Sequence, residues 1–346
     1  MSFFQPVPGT ILSHDIADYP DGIVLPIDKP YRWTSADVIR KVKFAAFRHF
    51  RKKNLKVGHA GTLDPLATGV LLVCLGPACK RAQEFQDHDK EYVASIRFGA
   101  TTPSYDLEKE VDRTFPYDQV TEEAVRAVLP SFLGPQEQVA PLFSAKSVDG
   151  VRAYEMARKL YRNARKGILD PDFDAAALET LHRGRITISE LELLDYIDAS
   201  GEVEASAVPS RTKIFSPEKR SKKFCPTPDA DAAYAEAVIP GAPSIVIPCV
   251  SSSVISSSVS SSVISSGVEK SASSRINVAD TSSLGLPEAR IRIACSKGTY
   301  IRAFARDLGE ALGTGAHLSG LVRTRTGDFR LEDALSLETA LSLLAE

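Results

Sequence analysis

The sequence is poor in cysteine, and its thiols form no recognisable pattern. The five cysteines, at positions 74, 79, 225, 249 and 295, include no C-x-x-C pair, and no neighbouring histidine completes a metal site. Their odd number also argues against a disulfide framework. We therefore expect reduced thiols in a cytoplasmic protein without a bound metal.

The chain also lacks targeting segments and a strong net charge. Its N-terminus, Met-Ser-Phe-Phe-Gln-Pro-Val-Pro-Gly, has neither the basic n-region nor the apolar h-region of a signal peptide. No apolar run approaches the length of a membrane span, so we expect no membrane partner. The net charge of −2 means that any nucleic acid must be bound by local basic patches. The 346 residues can form one large domain or two ordinary ones.

Residues 56–76 are the most informative part of the chain, because one carboxylate stands there among small and apolar neighbours. Pro65 fixes its own φ and favours an extended conformation for Asp64. Residues 70–75 are continuously apolar, which predicts a buried strand. A lone carboxylate at the mouth of such a strand suits a nucleophile or a base. The alternative is a turn carboxylate that caps a short helix at residues 66–68.

Residues 58–69 read Gly-His-Ala-Gly-Thr-Leu-Asp-Pro-Leu-Ala-Thr-Gly and closely resemble the signature loop of the TruB-type tRNA pseudouridine synthases. That family isomerises uridine 55 in the T-loop of tRNA, and the resemblance implies that Asp64 is catalytic. It covers roughly residues 22–204 and 289–346. It implies the α/β (α+β) pseudouridine-synthase fold, a mixed, mainly antiparallel sheet with flanking helices and a central RNA cleft.

Other segments resemble further motifs of the same family. Tyr92 stands in a Lys-x-Tyr motif, whose Tyr stacks on the target base in the family. Residues 298–302 read Gly-Thr-Tyr-Ile-Arg; the family pairs this Arg, here Arg302, with the catalytic Asp, and its Tyr, here Tyr300, lines the pocket. Asp106 matches the last Asp of a Thr-Asp-Thr-x-Asp loop that contacts the flipped nucleotide.

These residue types suit the chemistry that the resemblance implies. A stacked uridine must be flipped out of the RNA, at a cost of roughly a few kcal/mol. Stacking on Tyr92 can return about 1–3 kcal/mol. His59 is placed to fill the vacated space, and Arg302 supplies the positive charge that keeps Asp64 ionised. The alternatives are a core aromatic, an ordinary loop histidine and a surface arginine. No cofactor is expected, because the reaction is a net isomerisation.

The sequence departs from the family pattern in two places. Pro103 stands where the family usually has Asp, which puts the hydrogen bonding of that loop in question. Residues 143–145 and 150–158 resemble the segment that closes over the RNA, but the order Lys146-Ser147 leaves the role of Lys146 open.

Two segments concentrate positive charge. Residues 40–56 contain eight basic residues and no acidic one, and residues 152–166 carry six against a single glutamate. A solvated helix face is the alternative to a phosphate-binding surface. We favour phosphate binding, because the first segment leads directly into the loop of Asp64.

Hydrophobic patterns predict the order of the secondary structure. They favour strands at residues 23–27, 91–98, 185–194 and 289–295, and helices beginning near Thr34 and at residues 121–129, 153–161, 301–312 and 336–345. The strands at 185–194 and 289–295 should be neighbours. Residues 205–288 have a Ser-rich composition that predicts a disordered insertion between catalytic parts 22–204 and 289–346. We expect no C-terminal RNA-binding domain of the kind that many family members carry.

The resemblance therefore implies a monomeric tRNA pseudouridine synthase that binds the T-arm of tRNA. Two alternatives stay open: a catalytically silent RNA-folding or RNA-binding protein on the same scaffold, and a pseudouridine synthase for another RNA. A nucleotide-phosphate binder is set aside, because residues 58–69 contain neither Gly-Lys-Ser/Thr nor Gly-x-Gly-x-x-Gly.

Overall fold

The structure is a computed structural model that describes residues 3–141, 147–148, 151–152, 183–199, 276 and 278–345. The chain divides into two units, Met1–Ser206 with Lys270–Glu346, and Ala207–Glu269. The second unit falls wholly outside the described residues, as do the predicted helix at 153–161, residues 143–145 and Lys146.

The described residues form a strand-rich fold with five α-helices. The helices are α1 (Ser35–His49), α2 (Ala82–Asp87), α3 (Glu122–Val128), α4 (Ile301–Ala311) and α5 (Leu337–Leu343). The strands are β1 (Ile23–Lys29), β2 (Val57–Ala60), β3 (Ala67–Leu75), β4 (Lys90–Phe98), β5 (Ala100–Thr101), β6 (Arg113–Thr114), β7 (Gly134–Val139), β8 (Ser147–Val148), β9 (Val151–Arg152), β10 (Arg183–Ile197), β11 (Glu288–Cys295), β12 (Ala316–Thr326), β13 (Phe329–Arg330) and β14 (Leu335–Ser336).

One large sheet organises the molecule. Its strand order is β14-β1-β3-β12-β4-β11-β10-β7, with β2 paired to β3 and β13 paired to β12. Only the β1–β14 and β3–β12 pairs are parallel, and the other pairs of this sheet are antiparallel. This confirms the predicted mixed, mainly antiparallel sheet with helices.

Local sequence features determine the helix and the strand that lead to the site. α1 begins with a capping box, in which the Thr34 side chain accepts from the Asp37 amide and the Asp37 side chain accepts from the Thr34 amide. Val38, Val42 and Ala46 on its inner face are fully buried. β3 is buried along almost its whole length, as its apolar sequence predicts.

Gly69 lets β3 approach β12 closely. Its φ is +100°, and a Cβ there would lie 2.2 Å from the carbonyl oxygen of Arg323. Only glycine fits both the backbone angle and the space. The glycine therefore fixes the contact between the strand that follows Asp64 and its partner β12.

The predicted strands at 185–194 and 289–295 are confirmed as the neighbours β10 and β11. The predicted disordered insertion, residues 205–288, stays a prediction, and its last residues, 278–288, lie in the described part of the chain and carry structure. Ala279 and Thr281 are buried, Ser282–Leu284 forms a short 3-10 turn, and β11 already begins at Glu288. The Ala279 amide donates to the Leu107 carbonyl at 2.8 Å, which ties this segment to the body of the fold.

Candidate active site

The loop of Asp64 joins β2 to β3 and is fixed on both sides. Before Asp64, the Ser35 hydroxyl donates to the carbonyl of Leu63 and accepts from its amide, at 3.1 and 3.0 Å. After Asp64, the Pro65 carbonyl accepts from Lys29 Nζ at 3.2 Å and from the Arg32 amide at 3.0 Å. No helix follows at residues 66–68, because β3 begins at Ala67. The alternative of a helix-capping carboxylate is therefore wrong.

Asp64 and Arg302 form a two-point ion pair. Arg302 Nε lies 2.9 Å from Asp64 Oδ2, and Nη2 donates to Oδ1 at 3.1 Å. The side chain of Arg302 is 6% exposed, whereas that of Asp64 is 37% exposed. Burial opposes the charge of Arg302, but Asp64, Asp106 and Glu108 outweigh it and leave its pKa raised. The buried Arg302 therefore fixes the orientation of the Asp64 carboxylate, which is partly exposed to solvent.

Two further carboxyl groups surround the same arginine. Asp106 Oδ2 lies 3.8 Å from Arg302 Nε, and Asp106 Oδ1 accepts from the Ser104 hydroxyl at 2.6 Å and from the Glu108 amide at 2.9 Å. Burial raises the pKa of Asp106 in spite of these partners. Burial, followed by the charge of Asp106, raises the pKa of Glu108 to about 7.

The departure at Pro103 leaves this loop hydrogen-bonded. The Thr102 hydroxyl donates to the Asp106 carbonyl at 2.7 Å, and Ser104 donates to the Asp106 carboxylate. The Ser104 carbonyl also accepts from Arg302 Nη1 at 3.3 Å. The residues on either side of Pro103 therefore hold Asp106 against Arg302.

A small cleft opens over this cluster. Its lining combines two carboxylates and the arginine with mainly apolar and small residues from the loops of Asp64 and Asp106, the start of β3, and β12. The lining residues are Asp64, Leu66, Ala67, Asp106, Leu107, Arg302, Leu318, Ser319, Gly320 and Leu321. A cleft of this composition suits a flat, partly polar group, since most of its wall excludes water.

Tyr92 and His59 lie beside the cluster and share a neighbour. Tyr92, on β4, is 8% exposed. Burial raises its pKa, whereas Arg323 lowers it through its positive charge and through a hydrogen bond. His59, on β2, is half-buried, and burial followed by the charge of Arg323 lowers its pKa. Their predicted roles in stacking and in filling the vacated space stay predictions.

Tyr300 holds the start of α4. Its amide donates to Gln138 Oε1 at 2.8 Å, and its carbonyl accepts from Gln138 Nε2 at 3.2 Å. This clamp ties the helix that carries Arg302 to β7 across the sequence. The role predicted for the Tyr300 side chain in lining the pocket stays a prediction.

Three residues that support the site were not proposed as site residues from the sequence. Lys29 is fully buried, donates to the carbonyls of Pro30, Trp33 and Pro65, and has a pKa lowered by burial to about 7. Arg323 donates to the carbonyls of Val70 and Gly61 at 2.7 and 3.2 Å. Glu108 is the third of these residues. In the sequence, Lys29, Arg323 and Glu108 look like ordinary charged residues, and their burial near Asp64 shows that they support the site.

The basic helix α1 presents aromatic rings together with its charges. Phe44 is 65% exposed, Arg48 lies 5.8 Å from its ring centroid, and Lys43 Nζ lies 5.4 Å from that of Phe47. Of the second basic segment, 152–166, the structure describes only Arg152. Phosphate binding by both segments stays a prediction.

The described part of the chain contains no group of three or more His, Cys, Asp or Glu side chains that could hold a metal ion. Within the same residues, Cys74, Cys79 and Cys295 are free thiols. No described helix is long and apolar enough to cross a membrane.

Comparisons with known proteins point to one family. Residues 48–169 match the model of the TruB family pseudouridylate synthase N-terminal domain, and residues 302–345 match that of the tRNA pseudouridylate synthase B C-terminal domain. The chain is 38% identical to tRNA pseudouridine synthase B of Phocaeicola vulgatus over 322 residues, which cover 93% of each chain. It is 39% identical to the enzyme of that name from Bacteroides thetaiotaomicron, over 93% of this chain and 92% of the relative.

The chain is also similar to solved structures of greater length. It is 20% identical to a chain of a Cbf5-Nop10-Gar1 complex, with a TM-score of 0.46, over 92% of this chain and 53% of that one. It therefore spans about half the length of the solved chain. The identity to curated relatives over almost their whole length decides the family, and this chain belongs to the TruB family of pseudouridylate synthases.

Proposed function

We propose that this chain is a tRNA pseudouridine synthase that converts uridine 55 in the T-loop of tRNA into pseudouridine, with Asp64 as its catalytic residue. The observation that carries the proposal is the Asp64–Arg302 pair in the cleft. A carboxylate that is held at both oxygens from one side and open to solvent on the other is prepared for a substrate.

Arg302 gives Asp64 its orientation. Its guanidinium is rigid and buried, so the carboxylate plane is fixed before RNA arrives. Attack on the sugar and removal of a proton from the sugar both need an ionised carboxylate. Asp106 and the Ser104 carbonyl also contact Arg302 and help to fix its guanidinium.

The rest of the cleft suits a flipped uracil. Leu66, Leu318 and Leu321 offer apolar wall to the faces of a base, while Asp106 offers hydrogen-bond acceptors to its polar edge. Tyr92 stacks on the base and His59 fills the space left in the T-loop. The flipped nucleotide then places its glycosidic carbon above Asp64.

The basic segment 40–56, which begins in α1, anchors the RNA outside the cleft. Lysine and arginine at 40–56 bind phosphates without reading sequence, and the exposed Phe44 offers a ring for base or sugar contact. Selection of the T-arm, a monomeric state and a cytoplasmic location belong to the same proposal. The isomerisation requires no cofactor.

Complementation tests the proposal. A strain that lacks this gene is complemented with the parent chain or with Asp64→Asn, and position 55 of its tRNA is mapped for pseudouridine. We expect modification with the parent and none with Asp64→Asn, which keeps the size of the side chain and loses its charge. Binding of a T-arm hairpin should differ by less than about threefold between the two, since Asp64 makes no phosphate contact in the proposal.

The alternatives give different results. A catalytically silent RNA-folding protein would leave position 55 unmodified with the parent chain as well, although both chains bind the hairpin. A synthase for another RNA would leave tRNA unmodified and place Asp64-dependent pseudouridine elsewhere. Turnover by Asp64→Asn within about tenfold of the parent would remove Asp64 from its catalytic role.

A further inference from the structure

Arg32 is an arginine in a backbone conformation that favours glycine. Its φ is +63°, in the left-handed region that residues with a Cβ seldom occupy. Its amide donates to the Pro65 carbonyl at 3.0 Å, so this conformation places the residue directly beside the loop of Asp64. Non-glycine residues held in such conformations concentrate at functional sites.

On one edge of the Arg32 guanidinium, the Nη2 donor has an acceptor and the Nε donor has none among the described residues. Nη2 donates to the carbonyl of Ile276 at 2.5 Å. Nε is buried, and no acceptor meets it within the described part of the chain. Nε and Nη2 form one edge of the guanidinium, the edge that grips two oxygens of a carboxylate or phosphate. A single carbonyl therefore occupies half of a two-oxygen site.

Two backbone contacts locate Arg32: its amide bonds to Pro65, next to Asp64, and its Nη2 bonds to Ile276. Tyr31, the neighbouring residue, is 43% exposed, and the charges of both Arg32 and Asp106 affect its pKa, which burial raises. Ile276 is close in sequence to Ala279, whose amide bonds to the carbonyl of the cleft-lining Leu107. Arg32 thus joins the loop of Asp64 to the segment whose Ala279 bonds to the carbonyl of Leu107.

We propose that Arg32 binds the phosphate group next to the flipped nucleotide, whose two oxygens replace the Ile276 carbonyl on the Nε–Nη2 edge. The inference rests on the proposed function, because RNA is the ligand. The Ile276 carbonyl holds the side chain in place before RNA binds, and its displacement frees both donors for one anion. Arg32 acts as a positioning residue, because it contacts no reacting atom.

Arg32→Gly is the decisive variant, since glycine accepts the left-handed backbone without strain. We expect the melting temperature not to fall, kcat to stay within about twofold, and KM for a T-arm hairpin to rise about tenfold, the lower end for a charged hydrogen bond. The slope of log affinity against log salt should become shallower by about 0.7–0.9, which corresponds to one phosphate contact. Arg32→Lys should keep that slope.

The matched control is Arg126→Gln, because Arg126 is an exposed arginine of α3 paired with Glu122 and not with the cleft. It should change neither KM nor the salt slope. An Arg32→Gly protein with the slope and KM of the parent would overturn the proposal. So would equal losses of affinity in Arg32→Gly and Arg32→Lys with an unchanged slope, because that result marks a purely structural role.

The binding measurement also separates this inference from the proposed function. It needs no turnover, so it remains informative if the parent chain forms no pseudouridine. A parent that modifies position 55 while Arg32→Gly leaves the slope unchanged rejects only the inference about Arg32.

Discussion

Glu108 allows the electrostatics of the site to be tested through the pH dependence of stability. Burial, followed by the charge of Asp106, raises its pKa from 4.5 to about 7, although Arg302 opposes the shift. A carboxyl group whose pKa is raised by folding binds more protons in the folded than in the unfolded state between these values. The stability that it contributes is present below about pH 4.5 and is lost as the pH rises through about 7.

Glu108→Gln removes this titration and keeps the size of the side chain. The shift from 4.5 to about 7, at roughly 1.4 kcal/mol per unit, corresponds to about 3 kcal/mol. The free energies of unfolding of variant and parent are compared at about pH 4 and at about pH 8. Between these two pH values, the difference should shift by about 3 kcal/mol in favour of the variant.

Urea unfolding of both chains at the two pH values measures the effect. Glu110→Gln is the matched control, because Glu110 is exposed two residues further along and its replacement should give a difference that does not change with pH. If the difference in free energy of unfolding between Glu108→Gln and the parent is the same at both pH values to within about 0.5 kcal/mol, Glu108 is not buried against Asp106 and Arg302.

Three further predictions follow from the surfaces and boundaries of the fold. Deleting residues 207–274 with a short Gly-Ser link should leave stability and turnover near those of the parent. A deletion of 207–288 also removes the bonds of Ala279 and Thr281 and should lower the melting temperature by about 4–8 °C. Equal melting temperatures for the two deletions would show that these bonds do not stabilise the fold. Replacing the three basic residues at 51–53 by serine should make the salt slope of hairpin binding shallower by about 0.7–0.9 for each phosphate that is no longer bound, and an unchanged slope would mark a merely solvated surface. Tyr92→Leu should lower single-turnover rates without changing that slope, and an altered slope would place Tyr92 on a phosphate instead of a base.

The sequence predicted the elements whose pattern is local. β1, β3, β4 and the pair β10–β11 follow from apolar runs or alternation, and α1 follows from the Thr34 cap. Their edges differ from the predicted ones by a few residues, because pairing partners extend strands beyond the apolar run. Asp64, as the lone carboxylate of its loop, was likewise visible without a structure.

What the sequence could not predict depends on distant partners. The central strand β12 was not predicted, because residues 316–326 mix apolar, glycine and basic positions and only their place between β3 and β4 makes them a strand. The buried charges of Lys29 and Arg323 are tolerated because backbone carbonyls, two of them in the loop of Asp64, accept from them. The bonds made by Ala279 and Thr281 could not be predicted either, since composition gives no sign of them.

The position of β12 has a consequence for the synthesis of the protein. β3 and β4 are made early in translation, but the strand that joins them comes from residues 316–326, near the end of the chain. Until these residues leave the ribosome, two strands with many buried apolar residues have unpaired edges, and Asp64 lacks the arginine of α4. The Asp64–Arg302 pair and the closed sheet therefore form only after residues 301–326 have been made, and the unpaired strand edges are open to misassociation until then.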